Sequence, residues 1–401
     1  MAILLESLSS STNEFKMSGH LTSDQRGVYL NNAATSFPKP KSVICAVHSA
    51  LSRVMHEPGR VPGREDPLLS CRKALATLFG VADPNQIALL PSATFALNTV
   101  ITGLLEEGGH AISTILEHNS VLRPLEHMSR FRDVSLSFVA PGNDGCLSAE
   151  EIRRHIRAET QLIVVSGASN VTGAIQPIEE LADIAAKASI PLLVDAAQSA
   201  GVVSYNYQNL PGHVFLAFAG HKGLLGPAGT GGLIVPDATL KQMVVGGTGI
   251  RSESLLHPEA LPLRHEAGTP NLPGIAGLEA GALYILEKGI DALSEHRHEL
   301  VGAIRSGLQE IPGIRLSKLA HDDGRAGIVS FVSSSMPPDE LGFTLFEAFG
   351  ITLRTGLHCA PRIHESLETS PLGTVRISVG PFNTMSDVRY LVHSLKKVCL
   401  S

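Results

Sequence analysis

The chain is short of paired cysteines, of basic clusters and of long apolar runs, and each shortage narrows what it can be. Five cysteines, Cys45, Cys71, Cys146, Cys359 and Cys399, are scattered over 401 residues and never fall in Cys-x-x-Cys spacing. That pattern argues against a disulfide framework or a zinc site and for a reducing, cytoplasmic setting, with no metal expected. Charge is sparse and slightly acidic: 32 Lys and Arg stand against 38 Asp and Glu, a formal net charge of −6. Without a basic block, neither nucleic acid nor an anionic membrane is expected as a partner. No apolar run approaches the ~18–20 residues of a membrane span. The opening Met-Ala-Ile-Leu-Leu-Glu has no basic residue ahead of its very short apolar run, so it does not read as a secretory signal. Residues 1–26, rich in Ser and Thr, read as a flexible extension.

What is present is material for a large core, with 43% hydrophobic residues. From Ile87 onward, short apolar runs alternate with helical patterns, the signature of a parallel sheet with crossover helices. Ile87–Leu90, Ala111–Ile115, Ser135–Val139, Leu162–Ser166, Leu192–Asp195 and Val214–Phe218 read as strands. Polar residues follow several of them, where ligands of parallel sheets gather: Ser92 to Thr94, Glu117 to Ser120, Ala168 to Gly173, and Asp195 to Gln198. A helix from Phe95 to Leu105 opens after small and hydroxyl residues, which offers free N–H groups to an anion or simply an N-cap. His118 reads either as a ligand group or as a structural histidine. A boundary is placed near the end of a long helix at Pro273–Glu287. It gives a large domain over 27–283, whose residues 27–40 can pack with the other unit, and a smaller α/β domain over 284–401. The smaller domain holds strands near Ile314–Leu316, Gly327–Val332 and Thr374–Val379.

The run Ala217-Phe218-Ala219-Gly220-His221-Lys222-Gly223 sets a lysine between a buried strand and a glycine-rich turn. A buried amine loses hydration of its charged form, so its pKa falls and it becomes a nucleophile suited to a Schiff base. A plain loop lysine is the alternative. A pyridoxal phosphate enzyme needs a lysine, an acid for the ring nitrogen, a phosphate cradle and a group against the ring face. Lys222, Asp195, the Ser92–Thr94 helix start and His118 supply all four.

These residues carry a resemblance. Leu30-Asn31-Asn32-Ala33-Ala34-Thr35, Glu117-His118-Asn119-Ser120, Val194-Asp195-Ala196-Ala197-Gln198, Gly220-His221-Lys222, Glu266 to Asn271, Arg354 to Pro361 and Val375 to Ser378 follow one another in the order and spacing of the class V aminotransferases. The chain resembles that family of fold-type I pyridoxal phosphate enzymes from about Val28 to the final helix. It is most similar to the group II (Suf-type) cysteine desulfurases and selenocysteine lyase-like proteins. The resemblance implies pyridoxal 5'-phosphate held covalently by Lys222. It implies Asp195 on the ring nitrogen, Gln198 on the ring hydroxyl, His118 against the ring, and Thr94, His221 and the amides of Phe95 and Ala96 on the phosphate. Thr269 would reach the phosphate of a partner subunit, making a homodimer with shared sites. Asn170, Arg376, Asn32 and Ala33 would meet the substrate, Arg376 by clamping its carboxylate. Cys359 would take sulfur from L-cysteine, releasing L-alanine and passing the persulfide to an acceptor protein, with Arg354 or His358 beside it. A selenocysteine lyase or other C–S β-lyase, or a class V aminotransferase, is the alternative on the same scaffold. Four positions depart from the family pattern: Asn31 replaces an acid, Gly63 a histidine, Phe95 a threonine, and Ala219 a hydroxyl residue.

Overall fold

The computed structural model describes residues 27–52, 66–317 and 324–400. The N-terminal extension, the Glu57–Arg64 loop and Gly63 lie outside the described residues. The chain opens with β1 (Val28–Tyr29), and the first unit then comprises α1 (Lys41–Leu51), α2 (Pro67–Phe79), β2 (Ile87–Leu90), α3 (Ala93–Leu104), β3 (His110–Thr114) and α4 (Asn119–Arg132). It continues through β4 (Ser135–Val139), α5 (Ala149–Arg154), β5 (Thr160–Ser166), α6 (Ile178–Lys187), β6 (Leu192–Asp195), β7 (Val214–Ala219), β8 (Gly231–Ile234) and α7 (Leu272–Lys288). The second holds α8 (Ile290–Gln309), β9 (Ile314–Leu316), β10 (Ile328–Ser333), α9 (Pro338–Phe349), β11 (Ile351–Thr352), β12 (Arg354–Gly356), α10 (Pro361–Ser366), β13 (Thr374–Ser378) and α11 (Met385–Cys399).

The large sheet runs β2-β8-β7-β6-β5-β3-β4. β8 pairs antiparallel with both β7 and β2, and the remaining pairings are parallel. Strands buried on both faces read as continuous apolar runs, and β6 shows how this works. Leu192 and Val194 join the core on one face, and Leu193 joins the core on the other. Helices α3 and α4 cover the second face, and α2, α6 and α7 the first. The sheet is therefore doubly wound, as the alternating pattern predicts. Its parallel strands end together, which brings Ser166, Asp195 and Ala219 to one edge.

The second sheet, β12-β13-β10-β9, is antiparallel and packs on a separate core with α8, α9 and α11. β1 belongs with this unit, pairing in parallel with β11. The chain then crosses to the first unit. The carbonyl of His221 receives the Ser36 amide at 2.9 Å and the Lys39 amine at 3.0 Å. Residues 28–39 thus join the two units directly over the Lys222 turn.

The long helix α8 has no counterpart in the sequence reading. Its buried face includes Ser294 and Arg297 beside Leu300, Val301, Ile304 and Leu308. A buried arginine breaks the apolar period that reveals a helix. It stays buried because Nη2 donates to the Val202 carbonyl and Nε to that of Arg325, both at 3.0 Å.

Candidate active site

Lys222 sits in the turn after β7. Gly220 donates to the Thr230 carbonyl at 2.9 Å, and the amides of Gly226 and Leu225 close on the carbonyls of Gly220 and Lys222. A Cβ at Gly220 would run into Thr230, and one at Gly223 into the carbonyl of Ala200. Gly223 is required by close backbone approach and Gly220 by Thr230 packed against it, so the turn that carries the lysine is tightly enclosed. Burial brings the Lys222 amine down to about 8, with Arg376 and Arg354 adding to the effect and Asp195 opposing it.

The amine opens on a cavity of about 250 Å³ whose lining includes Asp195, Gln198, His118, Thr94, Arg376 and Arg354. The setting predicts a measurable titration. Labelling of the amines of the cofactor-free protein between about pH 6 and pH 11 should give Lys222 a midpoint near 8, while ordinary lysines titrate near ~10.4. A midpoint at the ordinary value would contradict the burial argument.

Asp195 ends β6 and is buried, its Oδ1 accepting the Ala197 amide at 2.9 Å. Burial raises its pKa, opposed by that amide and by Lys222. A cationic ring nitrogen beside it would lower that pKa, and the protein alone works the other way. A second buried acid, Glu117, feels the Asp195 charge. Burial pushes Glu117 up to about 7. Glu117 accepts from Thr114 Oγ1 at 2.7 Å, from the Ser166 amide at 2.9 Å and from Ser166 Oγ at 2.7 Å. These bonds lock the ends of β3 and β5 and fix the next residue, His118.

His118 is the N-cap of α4. Its Nδ1 accepts the Ser120 amide at 3.0 Å. Burial, with Lys222 and three arginines, lowers its pKa to about 4. The neutral ring with Nδ1 accepting carries its proton on Nε2. Ser120 Oγ lies 2.9 Å from Nδ1 and 2.8 Å from Thr94 Oγ1, linking the two expected ligands. Ser120 stands in the Glu117 to Ser120 run without a role evident from sequence, and its position two residues after a histidine cap is the signal that points to it.

The start of α3 corrects two expectations. The Phe95 amide is taken by Ser92 Oγ at 3.2 Å and the Ala96 amide by the Ser92 carbonyl at 3.2 Å. The helix begins at Ala93, two residues earlier than expected, so the amides of Ala93 and Thr94 occupy the first positions, which no carbonyl of the helix can reach. Phe95 turns instead to a separate cavity of about 530 Å³. Ala219 lines the Lys222 cavity without a hydroxyl, and His221 lines it as a neutral ring, lowered to about 4 by burial, Lys222 and Lys39.

Other expected ligands are placed as follows. Ala33 lines the cavity, and its carbonyl accepts Gln198 Nε2 at 2.9 Å. Asn32 lines an adjoining cavity that Lys222, Ala33 and Gln198 also line. Its Nδ2 donates to the Ser378 carbonyl and to Asn383, both at 3.1 Å, and its Oδ1 accepts the Phe37 amide. Thr269 is exposed on the rim of the larger cavity, away from Lys222. The loop before it is anchored by the Arg72–Glu266 ion pair and by Glu266 Oε1 accepting the Leu89 amide at 2.6 Å.

Arg376 is the most informative side chain. It is 1% exposed. Nη1 donates to the Asn170 carbonyl at 2.9 Å and Nη2 to Asn31 Oδ1 at 3.3 Å, while Nε is buried without a partner among the described residues. Both acceptors are neutral. Directly across the strand pair stands Arg354, a like-charge opposition that destabilises a sheet. Two arginines facing one cavity with no carboxylate on either make a site for an anion.

Arg354 also answers which neighbour serves Cys359. Its Nη2 donates to Cys359 Sγ at 3.0 Å. The His358 ring turns away and is buried, with Nε2 2.9 Å from Thr374 Oγ1. Cys359, from the loop after β12, is thus held by a residue that lines the Lys222 cavity.

Residues 28–391 match the family model for class-V aminotransferases. The chain belongs to the class-V aminotransferase family. Similar relatives include a probable cysteine desulfurase of Halalkalibacterium halodurans, 31% identical and covering 92% of both chains. Another is a probable cysteine desulfurase of Pyrococcus abyssi, 31% identical over 94% of this chain and 95% of the relative. Among solved structures, the cysteine desulfurase of Thermococcus onnurineus superposes with a TM-score of 0.86 at 30% identity, covering 93% of this chain and 95% of that one. The cysteine desulfurase CsdA of Escherichia coli gives 0.83 at 26% identity, covering 92% and 94%. The fold is that of the fold-type I enzymes, as the sequence reading expected.

Proposed function

We propose that this protein is a pyridoxal 5'-phosphate-dependent cysteine desulfurase. The observation that carries the reading is Cys359 Sγ held at 3.0 Å by Arg354, a residue that lines the cavity containing Lys222. A family scaffold alone fits several chemistries, but a cysteine fixed at the lysine cavity fits sulfur transfer.

The residues present suit the cofactor. Lys222 is a buried amine with a lowered pKa, Asp195 a buried acid at a strand end, and Ala93 and Thr94 offer amides at a helix start. Lys222 would hold the cofactor covalently, Asp195 its ring nitrogen and Gln198 its ring hydroxyl. Thr94, His221 and the first amides of α3 would hold its phosphate. Bound there, it supplies an electron sink that labilises the substrate's α-proton and its β carbon–sulfur bond.

The chain's own groups do the rest. Arg376 binds the α-carboxylate, the charge its neutral acceptors leave uncompensated. Lys222 Nζ, at about 8, takes and returns a proton near neutral pH. Arg354 presents the Cys359 sulfur. In the net reaction Cys359 Sγ bonds to the substrate sulfur, the substrate Cβ–S bond breaks, and a proton ends on Cβ. L-cysteine and the Cys359 thiol become L-alanine and a Cys359 persulfide.

Arg376→Lys keeps a charge but loses the planar fork. It should raise the KM for L-cysteine about 10- to 100-fold with a smaller change in kcat. Steady-state kinetics check this, and an unchanged KM would remove Arg376 from carboxylate binding. The function is tested by product analysis with L-cysteine and selenocysteine. A desulfurase releases alanine, whereas pyruvate would identify a β-eliminating lyase.

We infer further a homodimer and a sulfur-acceptor protein. Exposed Ile44 and Leu51 of α1 and Leu283 and Leu286 of α7, on two helices packed together, support an assembly face. Thr269, exposed away from its own Lys222, supports sites shared between subunits. A persulfide is an intermediate that needs an acceptor. A cytoplasmic setting agrees with five free cysteines. No helix among the described residues is long and apolar enough to cross a membrane.

A further inference from the structure

The loop that carries Cys359 has an unusual backbone. His358 and Cys359 are consecutive non-glycine residues in the left-handed region, at φ 50° and 61°. L-residues with side chains avoid that region, so two in succession persist only where surroundings hold them. Within the loop, the Ala360 amide donates to the Leu357 carbonyl at 2.9 Å. The carbonyls of the two strained residues are held from outside the second unit. The Cys359 carbonyl accepts the amide of Asn119, the residue after His118, at 2.7 Å. The His358 carbonyl accepts Asn170 Nδ2 at 2.8 Å.

Asn170 is 6% exposed and makes a second contact of consequence. Its own carbonyl accepts Arg376 Nη1 at 2.9 Å. One residue therefore touches the nucleophile loop with its side chain and the carboxylate-binding arginine with its main chain. The two contacts are separable by substitution, because removing the side chain leaves the carbonyl in place.

We propose that Asn170 is a positioning residue that clamps the Cys359 loop to the large sheet and sets the sulfur in register with Arg376. This rests on the desulfurase reading. A substrate held by its carboxylate presents its sulfur at a fixed place, and the attacking sulfur must meet it there. A small displacement of one reacting group is costly, since near-attack geometry tolerates little error.

Asn170→Ala in the holoenzyme tests this with two readouts. Hydrogen exchange should speed up several-fold in the peptide spanning Gly356–Pro361, with β6 unchanged. With L-cysteine, kcat should fall between about tenfold and a hundredfold, while KM stays within about threefold because Arg376 keeps its acceptor. Unchanged exchange in the loop, or a raised KM with kcat intact, would overturn the proposal and make Asn170 a substrate contact. Should Asn170→Ala not fold, Asn170→Asp keeps the volume, loses the donor and is read by exchange alone. The exchange result does not depend on turnover. Failure of the desulfurase reading would appear separately, as no alanine from the unaltered protein.

Discussion

Cys359→Ser should release alanine from L-cysteine at a rate lower by about 10³-fold or more, with cofactor binding unchanged. The reason lies in the loop. Arg354 reaches Sγ at 3.0 Å, and the Cys359 carbonyl is pinned by the Asn119 amide at 2.7 Å. Serine fits this cradle, so the loss reports chemistry and not collapse of the site. A thiolate is a strong nucleophile toward sulfur, and a serine hydroxyl stays protonated and weak at neutral pH. Cys71 cannot substitute, since it is buried and burial pushes its thiol well up. An assay of alanine against a persulfide-reactive probe checks the result. Full activity in Cys359→Ser would remove Cys359 from the reaction.

Lys222→Ala should lose turnover by about 10⁴-fold or more. Among the described residues, no other amine lines the Lys222 cavity. The nearby Lys39 amine, also lowered to about 8 by burial, is bonded to Ser36 Oγ at 2.7 Å and to the His221 carbonyl at 3.0 Å. It holds the turn and does not reach into the cavity. Borohydride reduction should leave the cofactor covalently attached in the unaltered protein and free in the variant, as read by mass spectrometry. Partial recovery of turnover with a small added amine would separate proton transfer from attachment. Retained attachment in Lys222→Ala would show that another residue holds the cofactor.

Much of this site is legible in the sequence because parallel strands end together. An apolar run closed by Asp195, by Glu117-His118, or by Gly220-His221-Lys222 places each group at the same edge once the sheet is known. Boundary shifts carry information that the pattern lacks. A helix expected from Phe95 offers the amides of Phe95 and Ala96, while one capped by Ser92 and beginning at Ala93 consumes both and frees the two before them. The direction of β8 is equally silent, since Gly231–Ile234 reads the same in either sense. Neighbours across space are hardest. Sequence adjacency favours His358 and Arg354 equally as companions of Cys359. The extended β12 and the two left-handed residues aim Arg354 at the sulfur and turn His358 into the core against Thr374. Asn32 shows the converse: a polar residue in a family motif whose side chain is bonded to Phe37, Ser378 and Asn383, neighbours the sequence does not announce.

In the proposed reaction sulfur leaves the substrate for Cys359. One equivalent of L-cysteine added to the purified holoenzyme, followed by peptide mass spectrometry without reductant, reads that transfer. The expected result is a gain of one sulfur atom on the peptide containing Cys359, matched by an equal amount of alanine. An unmodified Cys359 with pyruvate and free sulfide released in its place would contradict it.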